Sequence, residues 1–160
     1  MTNGILRAMG RRYSIEDFRE LILRIKSKDN MITIGTDIIV GYPGEGNLFD
    51  EGLRNIEEIP FDYAHVFPFS PRKWTKAPKR IEGNMKSKVR EVMEVVEEKR
   101  KKHLEGHIGK KLTILTEKEN SGLSDNYIKV TLQENLKVNT FVDVKVEGLA
   151  DNKTLIGSRA

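Results

Sequence analysis

The sequence predicts an α/β partial (β/α) barrel over residues 1–109, followed by a small all-β barrel over residues 110–160. Three observations carry that reading. An apolar run ends in a Gly/Pro turn with one carboxylate, Asp37-Ile38-Ile39-Val40-Gly41-Tyr42-Pro43-Gly44-Glu45. Strands of α/β enzymes end this way where they present polar groups at the carboxyl edge of a sheet. A second run, residues 63–67, ends likewise in Pro68-Phe69-Ser70-Pro71-Arg72. Beyond Lys110 the helical spacing gives way to short apolar runs separated by Gly, Asn and Asp, the pattern of a small antiparallel barrel.

The elements follow in order. Ser14-Ile15-Glu16-Asp17 carries an N-cap hydroxyl with a carboxylate three residues on, a capping box. Ile15, Phe18, Leu21, Ile22 and Ile25 then recur at helical spacing, so residues 15–27 should form an amphipathic helix. Asp29-Asn30 ends it. Residues 31–40 alternate and then turn continuously apolar, as a strand of a parallel sheet covered on both faces does. Residues 48–59 return to helical spacing through Phe49, Leu53 and Ile56 until Pro60. Residues 62–68 make the next strand, and of Phe67 and Phe69 only one is expected to face the barrel interior. Residues 72–84 read as a polar loop. Met85, Val89, Val92, Met93 and Val96 mark a long charged helix to about His103, closed by Gly106 and Gly109.

Residues 112–116, 127–130, 141–146 and 155–157 are the expected strands of the second part, and the domain boundary is placed near residue 109. Two parallel strands with three helices cannot close a barrel, and an open sheet exposes hydrogen-bonding groups and apolar side chains. Residues 1–109 are therefore expected to be the end of a domain whose beginning lies upstream.

Composition narrows the chemistry. The chain has 160 residues, 38% hydrophobic and 32% charged, with no cysteine. That excludes disulfides, thiolate zinc sites and iron–sulfur ligation by this chain. His103 and His107 stand four residues apart, and a solvated helix end is expected rather than a metal site. No run of about 18 apolar residues and no signal-like apolar segment is present, so no membrane partner and a cytoplasmic location are expected. The net charge is +4. Its clusters are the more telling feature: Lys99-Arg100-Lys101-Lys102, Lys110-Lys111, and a loop holding Arg72, Lys73, Lys76, Lys79 and Arg80. Such clusters supply the sequence-independent part of phosphate binding, although a solvated helix face accounts equally well for residues 99–102.

Four stretches carry a resemblance: Leu6-Arg7-Ala8-Met9-Gly10-Arg11-Arg12-Tyr13-Ser14, residues 36–45, His65-Val66-Phe67-Pro68-Phe69-Ser70-Pro71-Arg72, and Asp125-Asn126-Tyr127-Ile128-Lys129-Val130. In order and spacing the chain resembles the C-terminal portion of a radical-SAM tRNA methylthiotransferase. It looks most like the branch acting on N6-threonylcarbamoyladenosine at tRNA position 37. The resemblance implies a radical-SAM barrel whose last third is residues 1–109 and a TRAM RNA-binding domain at 110–160. Enzymes of this kind use S-adenosylmethionine and 4Fe-4S clusters to place a methylthio group on adenosine C2. The cluster cysteines belong to an upstream part, so this chain is expected to bind no cluster through cysteine and to be non-catalytic alone. Its expected partners are tRNA and the missing N-terminal half. The alternatives are a stand-alone tRNA-binding protein and one subunit of a split radical-SAM enzyme.

By the same resemblance, the strand end with Ile39, Val40 and Gly41 lines S-adenosylmethionine, as does the one with Val66 and Phe67. Arg11 and Arg12 match a segment near the substrate side of the barrel mouth. From the residues themselves, Gly41 and Gly44 permit close backbone approach to a ligand. Glu45 either accepts a hydrogen bond from a ribose or amino group or caps the following helix. Arg72 and Lys73 are candidates for RNA contact. Trp74, where the family has a glycine, either stacks on a base or covers an apolar edge. Gly44-Glu45-Gly46-Asn47 is about one position shorter than the family pattern. In the last segment Tyr127 and Lys129 are candidate RNA contacts, with Lys137, Lys145 and Lys153, although a core position is expected for Tyr127.

Overall fold

A computed structural model describes residues 1–73 and 84–160; the expectations for Trp74, Lys76, Lys79 and Arg80 lie outside the described residues. The chain divides into two compact units, Met1–Val96 and Glu97–Ala160. The first holds helices α1 (Asn3–Ala8), α2 (Ile15–Lys26) and α3 (Phe49–Glu58), strands β1 (Gly35–Val40) and β2 (Tyr63–Pro68), and the start of helix α4 (Met85–Glu105). The second holds the end of α4 and strands β3 (Lys111–Lys118), β4 (Ser121–Ser124), β5 (Lys129–Leu132), β6 (Phe141–Asp151) and β7 (Thr154–Arg159). The division falls inside α4, whereas the change from helical to strand pattern falls near residue 109. The last turn of α4 carries Leu104 into the core of the second unit.

β1 and β2 pair in parallel, with Asp37 opposite His65, Ile38 opposite Val66 and Ile39 opposite Phe67. Because side chains alternate along a strand, the pair has two distinct faces. Ile38, Val40, Ala64 and Val66 pack with Ile22 of α2, Ile56 of α3 and Val92 of α4 in one core. Asp37, His65 and Phe67, on the opposite face, are exposed.

The capping box of α2 is present in full: the Asp17 N–H donates to Ser14 Oγ at 3.1 Å, and the Ser14 N–H to Asp17 Oδ2 at 2.8 Å. The apolar stripe is narrower than expected, because Leu21 is exposed while Ile15 and Ile22 are buried. β1 starts at Gly35 rather than residue 31. The Ile34 N–H is spent on Asp62 Oδ2 at 2.6 Å, while the Ile34 carbonyl accepts from the Asp62 N–H at 2.8 Å, so at Ile34 a side chain takes the N–H that a strand would give to its neighbour. Helix α1 was not anticipated. It is six residues long, too short to establish a period.

In the second unit the strands close a barrel in the order β3-β4-β5-β7-β6, around Ile114, Val130, Val144, Val146 and Leu155. β4 was also unforeseen. Its sequence, Ser121-Gly122-Leu123-Ser124, lacks apolar alternation, and Gly122 is required by packing because a Cβ there would sit 2.5 Å from the Leu115 carbonyl oxygen. Two further expectations are overturned. Tyr127 is no core residue: it sits in a turn at φ 58° and is 78% exposed, and β5 begins only at Lys129. His107 is not at a solvated helix end either. It is buried, with Nδ1 2.9 Å from the His103 carbonyl oxygen and its ring edge-on to that of His103.

Candidate functional site

The first unit contains a cavity of about 950 Å³ at the C-terminal ends of β1 and β2. Its sheet wall includes Asp37, Ile39 and Phe67. Ile5 of α1, Tyr42 and Phe69 also line it and form a small apolar cluster of their own. Tyr42 meets Phe69 edge to face at 5.1 Å, and its hydroxyl donates to the Ala8 carbonyl at 3.0 Å, tying the β1 loop to the end of α1. Phe67 and Phe69 both line the cavity, which corrects the expectation that only one would face inward. Residues two apart on a strand share a face. Phe67 is 49% exposed, whereas Phe69, beyond the end of β2, is buried against Tyr42.

The loop after β1 is built by its own residues. Gly41 and Gly44 take positive φ, 83° and 89°, a conformation that glycine enters without steric cost. The Gly41 N–H donates to Glu45 Oε2 at 2.9 Å, and the Glu45 N–H to the Tyr42 carbonyl at 2.9 Å. Lys88 Nζ stands 3.7 Å from the same Glu45 oxygen and 4.7 Å over the Phe49 ring. Glu45 therefore closes its own loop, and its side chain makes no helix-capping hydrogen bond.

Arginines gather in the same cavity lining. Arg7, Arg11 and Arg72 line it, together with Tyr13 and Ser70. α1 ends in a left-handed Gly10 at φ 73°. The Gly10 N–H donates to the Arg7 carbonyl and the Arg11 N–H to the Leu6 carbonyl, each at 2.9 Å. This paired pattern is a Schellman ending, and it turns the chain so that Arg11 lines the cavity.

The barrel presents a second surface. Phe141, Leu115, Leu123 and Lys129 are successive register partners across β6, β3, β4 and β5. Phe141 is 74% exposed, and Tyr127 lies two residues before Lys129.

No protein-family model matches the chain. Curated relatives do. It is 36% identical to a threonylcarbamoyladenosine tRNA methylthiotransferase of Aquifex aeolicus, over 91% of this chain and 37% of that protein. It is 34% identical to the Thermotoga maritima protein of the same description, over 94% of this chain and 37% of that one. A tRNA-2-methylthio-N(6)-dimethylallyladenosine synthase of Bacillus licheniformis is 30% identical, over 91% of this chain and 31% of that protein. The chain belongs to the radical-SAM methylthiotransferase family. It spans a little over a third of the length of the first two relatives and corresponds to a C-terminal portion of them.

In this chain the residues singled out from sequence fall into three groups. Ile39, Val40, Glu45, Phe67, Arg11 and Arg72 line one cavity, although the Val40 side chain is also part of the helix-side core. Val66 packs against that core and Gly41 adjoins the cavity through Val40 and Tyr42, while Arg12 and Lys73 are exposed and outside its lining. Tyr127 and Lys129 belong to the barrel. Sequence reasoning missed Arg7, Tyr13, Asp37 and Phe141 as site candidates. The signal for Arg7 was available, since Gly10 as a helix C′ residue makes Arg7 and Arg11 near neighbours.

Proposed function

We propose that the chain is the C-terminal part of a tRNA methylthiotransferase that modifies C2 of N6-threonylcarbamoyladenosine at position 37. On this reading residues 1–109 complete a radical-SAM barrel and residues 110–160 form a TRAM domain that holds the tRNA. The observation that carries it is the convergence of relatives bearing that description with a cavity at the carboxyl ends of two parallel strands, where α/β barrels take their ligands.

The residues fit one of the two cofactors. S-adenosylmethionine is compatible with the cavity, whose volume and apolar Ile39–Phe67 wall suit an adenosine. There it would supply the methyl and adenosyl groups. Ile39 and Phe67 would pack on the adenine, and the Gly41–Glu45 loop would hold the strand end in position. A 4Fe-4S cluster does not fit this chain, which has no thiol to ligate one. The chain alone is accordingly non-catalytic, and its partners are the N-terminal part of the enzyme and tRNA. On the barrel, Tyr127 and Phe141 would offer ring faces to bases and Lys129 a charge to phosphate.

The test is a chimera in which this chain replaces the corresponding segment of the Thermotoga maritima relative, supplied with tRNA carrying N6-threonylcarbamoyladenosine. Mass analysis of the digested tRNA should find its 2-methylthio derivative. A soluble chimera that loads its clusters yet leaves this nucleoside unchanged would sink the proposal.

A further inference from the structure

The substrates named for the relatives differ in one chemical respect. A threonylcarbamoyl group ends in a free carboxylate, whereas a dimethylallyl group is a hydrocarbon. A cavity serving the first needs a cation placed to meet that carboxylate, and guanidinium is the group whose planar fork matches it.

Three arginines are among the residues that line the cavity, Arg7, Arg11 and Arg72. Two carboxylates line it as well. Glu45 is engaged by the Gly41 N–H and faced by Lys88. Asp37 stands on the sheet wall opposite His65. With Glu45 so engaged, Arg7 and Arg11 are cationic lining residues set against the single carboxylate of Asp37. Arg11 is the best defined of the three, because the Schellman bonds fix its backbone independently of its side chain. Met9 and Tyr13 line the same cavity, and apolar surface around a bound carboxylate would strengthen a charge-assisted pair.

Building on the proposed function, we infer that Arg11, supported by Arg7, is the specificity element for the N6 substituent: it pairs with the threonylcarbamoyl carboxylate. Arg11 is a positioning residue in this role. It holds the substituent at the cavity mouth and takes no part in bond making.

The experiment uses the full chain and three anticodon stem-loop RNAs of identical sequence. One carries N6-threonylcarbamoyladenosine, one its neutral methyl ester, and one N6-dimethylallyladenosine. The wild-type chain should bind the acid about tenfold more tightly than the ester, the size of one charge-assisted pair. In Arg11→Gln that ratio should fall to about one, and Arg11→Lys should retain part of it, since a point charge remains without the fork. Helical content measured alongside shows whether each variant keeps its fold, and the ratio within one protein cancels any general loss of RNA affinity. Equal binding of acid and ester by the wild type overturns the assignment, as does a preference that survives in Arg11→Gln. If none of the three RNAs binds, the tRNA reading itself falls with it; if all bind without discrimination, only the carboxylate assignment does.

Discussion

Asp62 accepts hydrogen bonds from Lys26 Nζ at 2.8 and 2.6 Å and from the Ile34 N–H, while the Lys26 ammonium also donates to the Ile32 carbonyl at 2.6 Å. One largely buried ion pair thus joins the end of α2, the approach to β1 and the approach to β2. Removing one member of such a pair strands the other charge in a desolvated site, so Asp62→Ala should cost about 3 kcal/mol or more. Urea titration of the full chain would measure it, and a loss under about 1 kcal/mol, the scale of a surface pair, would contradict the assignment. On the barrel, two neighbours should fail in different ways. Lys129→Ala should lower the salt slope of tRNA binding by about one unit. Tyr127→Ala should instead weaken binding by about 1–3 kcal/mol at unchanged slope, a distinction that binding isotherms at several salt concentrations resolve. Neither the Asp62 cluster nor the exposure of Tyr127 could be read from sequence. The first joins residues far apart in the chain, and the second depends on a left-handed turn in a segment whose residue types suit a strand.

At the scale of elements, legibility followed length and capping chemistry. α2, α3 and α4 run long enough for apolar spacing to repeat, and α2 announces its start with Ser14 and Asp17. α1 and β4 are short: Gly10 marks in sequence only where α1 ends, and the glycine of β4 pressed against a neighbouring carbonyl is visible only in three dimensions. The cap of α2 has a consequence in acid. The Asp17 carboxyl is held below its usual value of 3.8, first by the Ser14 backbone N–H and then by the Ser14 hydroxyl. A carboxylate with a depressed folded pKa contributes stability that is present above its unfolded value and lost as pH falls through the lower folded value. Asp17→Asn should therefore lower the thermal midpoint of the full chain at pH 7, and the gap from wild type should close progressively below about pH 4. Ser14→Ala removes the same cap from the other side and should cost about 1 kcal/mol near neutrality. A gap between wild type and Asp17→Asn that stays constant down to pH 2 would show that the bond contributes nothing through ionisation.

At the scale of the whole chain, the two units face the solvent on different terms. The parallel pair of the first unit keeps one face against three helices and leaves His65 and Phe67 exposed on the other. The two-stranded parallel sheet was legible from the two strand ends at residues 41–45 and 68–72. The second unit has no such deficit. Its five strands close on themselves and bury their own core together with Leu104, and closure removes the edges through which sheets associate. The interior is also tied by Thr116, whose hydroxyl lies 2.7 Å from the Lys137 carbonyl oxygen and accepts from the Thr140 N–H at 2.9 Å. Residues 97–160 expressed alone should therefore fold as a monomer with a single cooperative thermal transition, as small domains with one core do. Thr116→Val, nearly isosteric but without the hydroxyl, should lower its stability by about 1 kcal/mol by removing the hydrogen bonds that the hydroxyl makes to partly buried backbone groups. Calorimetry and sedimentation of the isolated segment would test both. A broad non-cooperative melt, or self-association, would mean that the closed barrel depends on residues before Glu97, and the division of the chain into two separately folding parts would fail with it.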